Sequence, residues 1–166
     1  MGVLRRIVRH LWFPHLRARR TFPASTLDAV ERAIGEAEAG HNGEIRFAIE
    51  AALPLGAVVQ GVAPAARALD VFARLRVWDT EYNNGVLIYL LYADRAVEIV
   101  ADRGIHAQSG NQAWERICRT MENEFRAGRF EAGAVAGVRS IAGELAQHFP
   151  GRGAKRNELP DKPVML

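Results

Sequence analysis

Cysteine is almost missing from this chain of 166 residues: Cys118 stands alone, so no intrachain disulfide can form and nothing indicates an oxidising compartment. Trp114, Ile117 and Met121 around it mark it as a small core residue rather than a reactive thiol. Long apolar runs are missing too. The longest, Val86–Ala93, is far too short to cross a bilayer. The opening "MGVLRRIVRHLWFPHLRARR" has the early arginines of an export signal, but arginine and histidine keep interrupting its apolar part, and no small-residue cleavage site follows. A cytoplasmic protein is expected. A phosphate-binding glycine loop, a "GxSxG" elbow, a "CxxC" pair and an "HExxH" helix are all absent, which leaves no standard enzyme signature.

Acid is lacking where base is dense. Residues 1–20 hold six arginines and no carboxylate, and residues 150–166 add Arg152, Lys155, Arg156 and Lys162 against Glu158 and Asp161. The ends thus carry eight net positive charges against a total of three for the chain, leaving residues 21–149 with five net negative charges. An acidic body argues against nucleic acid as a partner. It suits a cation, or an arm resting on an anionic membrane.

What is present reads as alternating helices and strands in three stretches. Residues 1–22 form a basic amphipathic arm: Leu4, Ile7, Val8 and Leu11 recur at helical spacing with Arg5, Arg6 and Arg9 opposite, Trp12 lies at the boundary, and Pro14 ends the helix. Two readings stay open for it, packing on the domain with arginines in water or lying at a headgroup layer. Residues 23–149 form the folded domain. Ser25 or Thr26 caps a helix through Ala37, and "GEIRFAIEAAL" alternates as a half-exposed strand. Residues 54–61 read as loop, and a crossover helix runs from about Ala63 to Trp78. "GVLIYLLY" is a strand covered on both faces, and "ADR" turns into the antiparallel "AVEIVAD". Two helices follow, the first capped by Asn111. Residues 150–166 read as a disordered polar tail. The order predicts an α/β fold, a three-layer α/β/α sandwich around a small mixed sheet.

In that topology the segments leading into the first two strands lie at the same edge as the segment leaving the third. Asp79, Thr80, Asn83 and Asn84 thereby meet Asp102, Arg103 and His106, with His41, Asn42 and Glu44 alongside. Carboxylate, hydroxyl and amide oxygens form a hard-oxygen set that suits Ca²⁺, Mg²⁺ or Mn²⁺ rather than zinc. The candidate metal ligands are Asp79, Thr80, Asn83, Asn84 and Asp102. Arg103 could hold a phosphate and His106 transfer a proton, which with Asp102 makes them the candidates for any catalysis. Turn chemistry, a helix cap and a surface ion pair explain the same residues without function. The opposite edge holds Glu50, Asp94 and Arg95, a thinner set at the end where open α/β sheets bind ligands.

"GEIRF", "RVWDT", "NNGVLIYLL" and "VEIVADRGI" together resemble the TPM domain, named for thylakoid-lumen phosphatase-like proteins, over roughly Gly43–Phe149. The most specific features are "NNGVL" and the later Arg95, Ile99 and Gly104. Asn84 and Gly85 fall on the family's asparagine–glycine pair, Asp102 and Gly104 on its segment after the third strand, and Asp79 in the loop before the pair. The resemblance implies an α/β/α sandwich, a divalent cation (Ca²⁺ or Mg²⁺) in an acidic cleft, weak phosphate-ester hydrolysis, and roles around membrane-protein maintenance. This chain departs from it in its basic leading helix, its short polar tail, and "ADRGIH" where relatives carry a Gly-x-Gly stretch. The alternative is a noncatalytic adaptor that binds a membrane protein or a membrane surface through the basic helix.

Overall fold

The computed structural model describes residues 2–12, 14–151 and 156–166, so Arg152 and Lys155 lie outside it. Among the described residues, seven helices pack around a four-stranded mixed sheet. β1 (Glu44–Glu50) lies beside β2 (Gly85–Leu91) in parallel, with Glu44 opposite Gly85 and Glu50 opposite Leu91. The β2–β3 pairing is antiparallel, β3 being Ala96–Ala101. The sheet order is β3-β2-β1-β4, the last strand being Val164–Met165.

Alternation along the strands sorts side chains onto two faces. Ile45, Phe47 and Ile49 of β1 join Val86, Ile88 and Leu90 of β2 on one face. They are covered by α3 (Ala24–Glu38), α6 (Arg103–Arg126) and α7 (Phe130–His148). Ala48, Leu87, Tyr89 and Leu91 point the other way, onto α4 (Leu55–Val59) and α5 (Pro64–Arg74). β2 is buried at every position, as an unbroken apolar strand must be. The result is the expected three-layer sandwich.

Local chemistry moved several boundaries. Pro14 does not merely end α1 (Val3–Leu11); it opens α2 (Pro14–Thr21), because proline's missing N–H costs nothing in a first turn. Residues expected as loop form the short α4, and α5 stops at Arg74 rather than Trp78. Pro23, not Ser25 or Thr26, stands at the cap of α3, and the Thr26 hydroxyl bonds Glu131 instead. α6 begins at Arg103 with Asp102 as its cap and breaks at Gly110, whose φ of 70° falls where asparagine capping was expected one residue later.

A disordered tail is expected from residue 150, but the described part of it packs. Val164–Met165 pairs parallel with Ala48–Ile49, Leu159 is buried, and the Arg46 guanidinium bonds the carbonyls of Pro160 and Lys162. Burial lowers the Arg46 pKa, and Asp161 nearby acts against that. The open side of β1 otherwise presents unpaired backbone groups, which this segment covers.

The basic helix is turned over relative to its expected orientation. Arg6 and Arg9 reach inward, each 2.7 Å from a carboxylate oxygen of Asp94, and His10 Nε2 lies 3.1 Å from the same carboxylate. His10 is buried, its Nδ1 accepting the Leu53 N–H. Most of the apolar residues face out instead, with Leu4 75% exposed, Leu11 and Trp12 63% each and Leu16 57%, while Ile7 packs against the core under α4 and α5. No helix among the described residues is long and apolar enough to cross a membrane.

Candidate functional site

The pole leading into β1 and β2 is built by close backbone contact. The Asp102 N–H donates to Gly85 O, and the Gly104 N–H to Asn83 O, both at 2.9 Å. A Cβ on Gly104 would lie 2.5 Å from Asn83 O, and one on Gly85 only 2.0 Å from Val77 O. Glycine is required at 104 for the segment after β3 to touch the loop before β2, and at 85 for β2 to start against the backbone of Val77.

Asn84 is wholly buried and its side-chain amide donates to Asn42 O at 3.0 Å. Its other side-chain atom, Oδ1, is buried with no hydrogen-bond partner. Asp102 repeats the pattern: Oδ1 accepts the Arg103 N–H at 2.7 Å, while Oδ2 is buried and unpartnered. Two orphaned acceptor oxygens therefore sit on segments that hydrogen-bond each other. A buried acceptor left unmade costs about 1–3 kcal/mol, so such pairs call for an explanation.

The remaining expected residues are divided. The Thr80 hydroxyl accepts the Asn84 N–H, and Asn83 takes a left-handed φ of 51°, both turn roles. Asp79 is half exposed and tied to Arg76 at 2.7 Å, three residues earlier, rather than turned to Asp102. Arg103 is exposed beside Asp102. His106 lines a different hollow, a cleft of about 310 Å³ along β3 with Glu98, Trp114 and Cys118. Burial pushes the Cys118 thiol up to about 12 and raises the Glu98 carboxyl, so the thiol there is inert.

Glu44 and His41 are buried at the same pole, Glu44 Oε2 accepting the Leu159 N–H at 3.1 Å. Glu158 Oε2 accepts the Glu81 N–H, so the tail closes one side of the pole. Sequence pattern carried little signal for this, since Leu159 stands alone between charged residues and prolines with no periodicity around it. Among the described residues no group of three or more His, Cys, Asp or Glu side chains could hold a metal ion. Any cation here would rely on amide and carbonyl oxygens beside one carboxylate, a donor set that fits a hard cation and not zinc.

The opposite pole holds two ion-pair networks that the sequence did not disclose. Glu50, 4% exposed, accepts from Arg67 Nε at 2.8 Å, Arg67 Nη2 at 2.9 Å and the Tyr89 hydroxyl at 2.6 Å. Burial and the Glu50 bond raise the Tyr89 pKa, and Glu50 raises that of Arg67. These groups saturate one another, which makes the network structural. Asp94 with Arg6, Arg9 and His10 is the second.

Comparison with known proteins bears on the fold and the family. A comparison with curated proteins returns no match. Among similar solved structures is that of the BA42 protein from the psychrophilic bacterium Bizionia argentinensis, determined by NMR. It has a TM-score of 0.75 and 30% identity, over 86% of this chain and 93% of that one. The model of the TPM domain matches residues 17–144, which hold β1, β2, β3 and the crossover between the first two, and the chain therefore belongs to the TPM domain family.

Proposed function

We propose that the pole between Asn84 and Asp102 binds one divalent cation, Ca²⁺ or Mg²⁺. The observation that carries this reading is the pair of buried, unpartnered oxygens, Asn84 Oδ1 and Asp102 Oδ2, on segments joined by backbone hydrogen bonds. Cation binding would relieve both and neutralise the Asp102 charge. The proposed set is narrower than the five residues expected from sequence. Asp79 is held by Arg76, and the Thr80 hydroxyl and Asn83 backbone support the loop.

A cation bound there would supply a Lewis acid for a phosphoryl oxygen. Arg103, exposed at the start of α6, is placed to pair with a phosphate. His106 lies in the other cleft, so the acid–base role foreseen for it has no support here. Weak phosphate-ester hydrolysis follows from the cation reading and falls with it.

Calorimetric titration of metal-stripped protein with Ca²⁺ and, separately, Mg²⁺ tests the site. Saturable binding is expected, weakened about tenfold or more in Asp102→Asn through loss of a charged ligand. Asp79→Asn should bind as the wild type does. No binding by the wild type, or undiminished binding by Asp102→Asn, would sink the reading.

A second reading is favoured by a separate observation, the outward apolar face of α1 and α2. Leu4, Leu11, Trp12 and Leu16 are more than half exposed beside the exposed Arg5, Arg17, Arg19 and Arg20. Such a surface suits a noncatalytic adaptor resting on the anionic cytoplasmic face of a membrane, or on a protein embedded in it. The contact would be made by the apolar residues, with arginines at the rim, rather than by the arginines that face inward.

A further inference from the structure

Beneath the α1–α2 hairpin lies a cavity of about 550 Å³ at the C-terminal end of β2, at the opposite end of the strand from the cation pole. Its size is within the ~300–1,000 Å³ typical of small-molecule sites. Leu90 and Tyr92 form its floor, Phe125 and Phe130 one wall, and Val8 and Trp12 its roof. Four arginines, Arg9, Arg17, Arg95 and Arg126, border it against a single carboxylate, Glu122.

The hairpin over the hollow is fastened at both ends. One end of the hairpin is clamped where Arg6, Arg9 and His10 converge on Asp94. The other end is fastened where the Thr21 hydroxyl meets the Tyr92 hydroxyl at 3.0 Å. There Phe22 also packs edge-on against Phe125 and Phe130, with centroids 6.1 and 5.6 Å away.

The charges around the cavity are unequally used. Arg9 is occupied by Asp94, and Arg126 bonds Asn123 and Glu122. Glu122 also accepts the Val97 N–H. Arg17 and Arg95 have no ion-pair partner among the described residues, and both are exposed at the cavity margin. Arg95 is held there by a tight turn, with φ 54° and its N–H bonded to Tyr92 O. An apolar chamber with two free guanidinium groups at its rim is complementary to one kind of molecule, an apolar body ending in an anion.

We propose that this cavity binds a single-chain amphiphilic anion as a monomer, its apolar chain against Leu90, Phe125 and Phe130 and its acidic head between Arg17 and Arg95. The chemistry is that of a carboxylate or phosphate on an alkyl chain. The site is independent of the cation pole. It also differs from the surface of Leu4, Leu11 and Leu16, which would touch a bilayer without admitting a molecule, although Trp12 and Arg17 border both.

Decanoate, kept well below its micelle concentration, is the probe. Full-length protein is titrated with decanoate, 1-decanol and acetate in a calorimeter, and with vesicles of phosphatidylglycerol in phosphatidylcholine. Amide chemical shifts are followed by NMR during the decanoate titration. Expected are saturable decanoate binding, binding of decanol and acetate about tenfold weaker or less, and shift changes centred on Leu90, Tyr92, Phe125 and Phe130. Arg17→Glu with Arg95→Glu, at two exposed positions, should retain the native spectrum and bind decanoate about tenfold more weakly. No saturable decanoate binding overturns the proposal, and so does decanol binding as tightly as decanoate. Shift changes confined to Leu4, Leu11 and Leu16, or vesicle binding without decanoate binding, would also overturn it in favour of surface docking.

Discussion

Asp94 gathers Arg6, Arg9 and His10 from α1, with its side chain 8% exposed. Burial opposes its ionisation, but the bonds from Arg6 and His10 and their charges outweigh that and hold its carboxyl below the usual aspartate range. A group whose folded pKa is depressed contributes stability above its unfolded value and loses it as pH falls through the folded one. The Asp94 contribution is therefore complete above the ordinary value of 3.8 and declines as pH drops below it. Asp94→Asn should cost about 2 kcal/mol near neutral pH, the scale of charged hydrogen bonds in a partly buried site. Urea titrations of wild type and variant down the acid range check this. The gap between them should close as pH falls below 3.8, and a gap that stays constant would mean Asp94 acts by shape alone. The same residue explains why the sequence misleads about α1. Alternation of arginine and leucine defines two faces but not which one turns inward, and only a buried carboxylate at the β2–β3 turn decides for the arginines.

β4 carries the corresponding lesson among elements. Two residues, Val164 and Met165, form a strand because β1 has a free edge, not because their own pattern asks for one. Removing residues 156–166 should uncover that edge together with buried Glu44, which loses the Leu159 N–H. The melting midpoint is expected to fall by several degrees, as a loss of about 2 kcal/mol implies for a chain of this size. Concentration-dependent association through the β1 edge should follow. Differential scanning calorimetry and light scattering would show both, and a shortened chain that melts like the full one and stays monomeric would deny β4 this role. Elements with their own periodicity were legible: the alternation of Ile45, Phe47 and Ile49, the unbroken β2, and the helix faces of α3, α6 and α7. Elements set by a neighbour were not, and these include β4, α2 after Pro14 and the short α4. The pole divides in the same way. Asn84 and Asp102 stood out because amide and carboxylate flank two strands whose pairing was predictable. Asp79 looked equivalent, yet Arg76 three residues before it claims its carboxylate.

Taken whole, the molecule is polarised along its strands. Seven residues of β1 and β2 separate the two poles by about 20 Å. One pole gathers buried carboxylates and amide oxygens, while the other presents a hairpin whose stretch, residues 1–20, holds six arginines and no acid. Arg6 and Arg9 are consumed internally, which leaves Arg5, Arg17, Arg19 and Arg20 exposed around an apolar ridge. An anionic bilayer would attract this end and repel the acidic body, so the protein would approach with the hairpin leading. Attraction from exposed arginines is screened by salt, whereas burial of Leu4, Leu11 and Trp12 in the headgroup region is not. The two contributions can therefore be separated by flotation on phosphatidylglycerol-containing vesicles. Raising salt should weaken binding without abolishing it. Leu4→Ser, Leu11→Ser and Trp12→Ser together should abolish it at every salt concentration, at little cost to stability, since these side chains are already in water. Because Arg6, Arg9 and His10 hold α1 in place, Asp94→Asn should loosen the hairpin and weaken flotation while leaving the cation pole unaltered. If the triple serine variant floats as well as the wild type, the ridge is not the contact surface and the arginines alone account for the attraction.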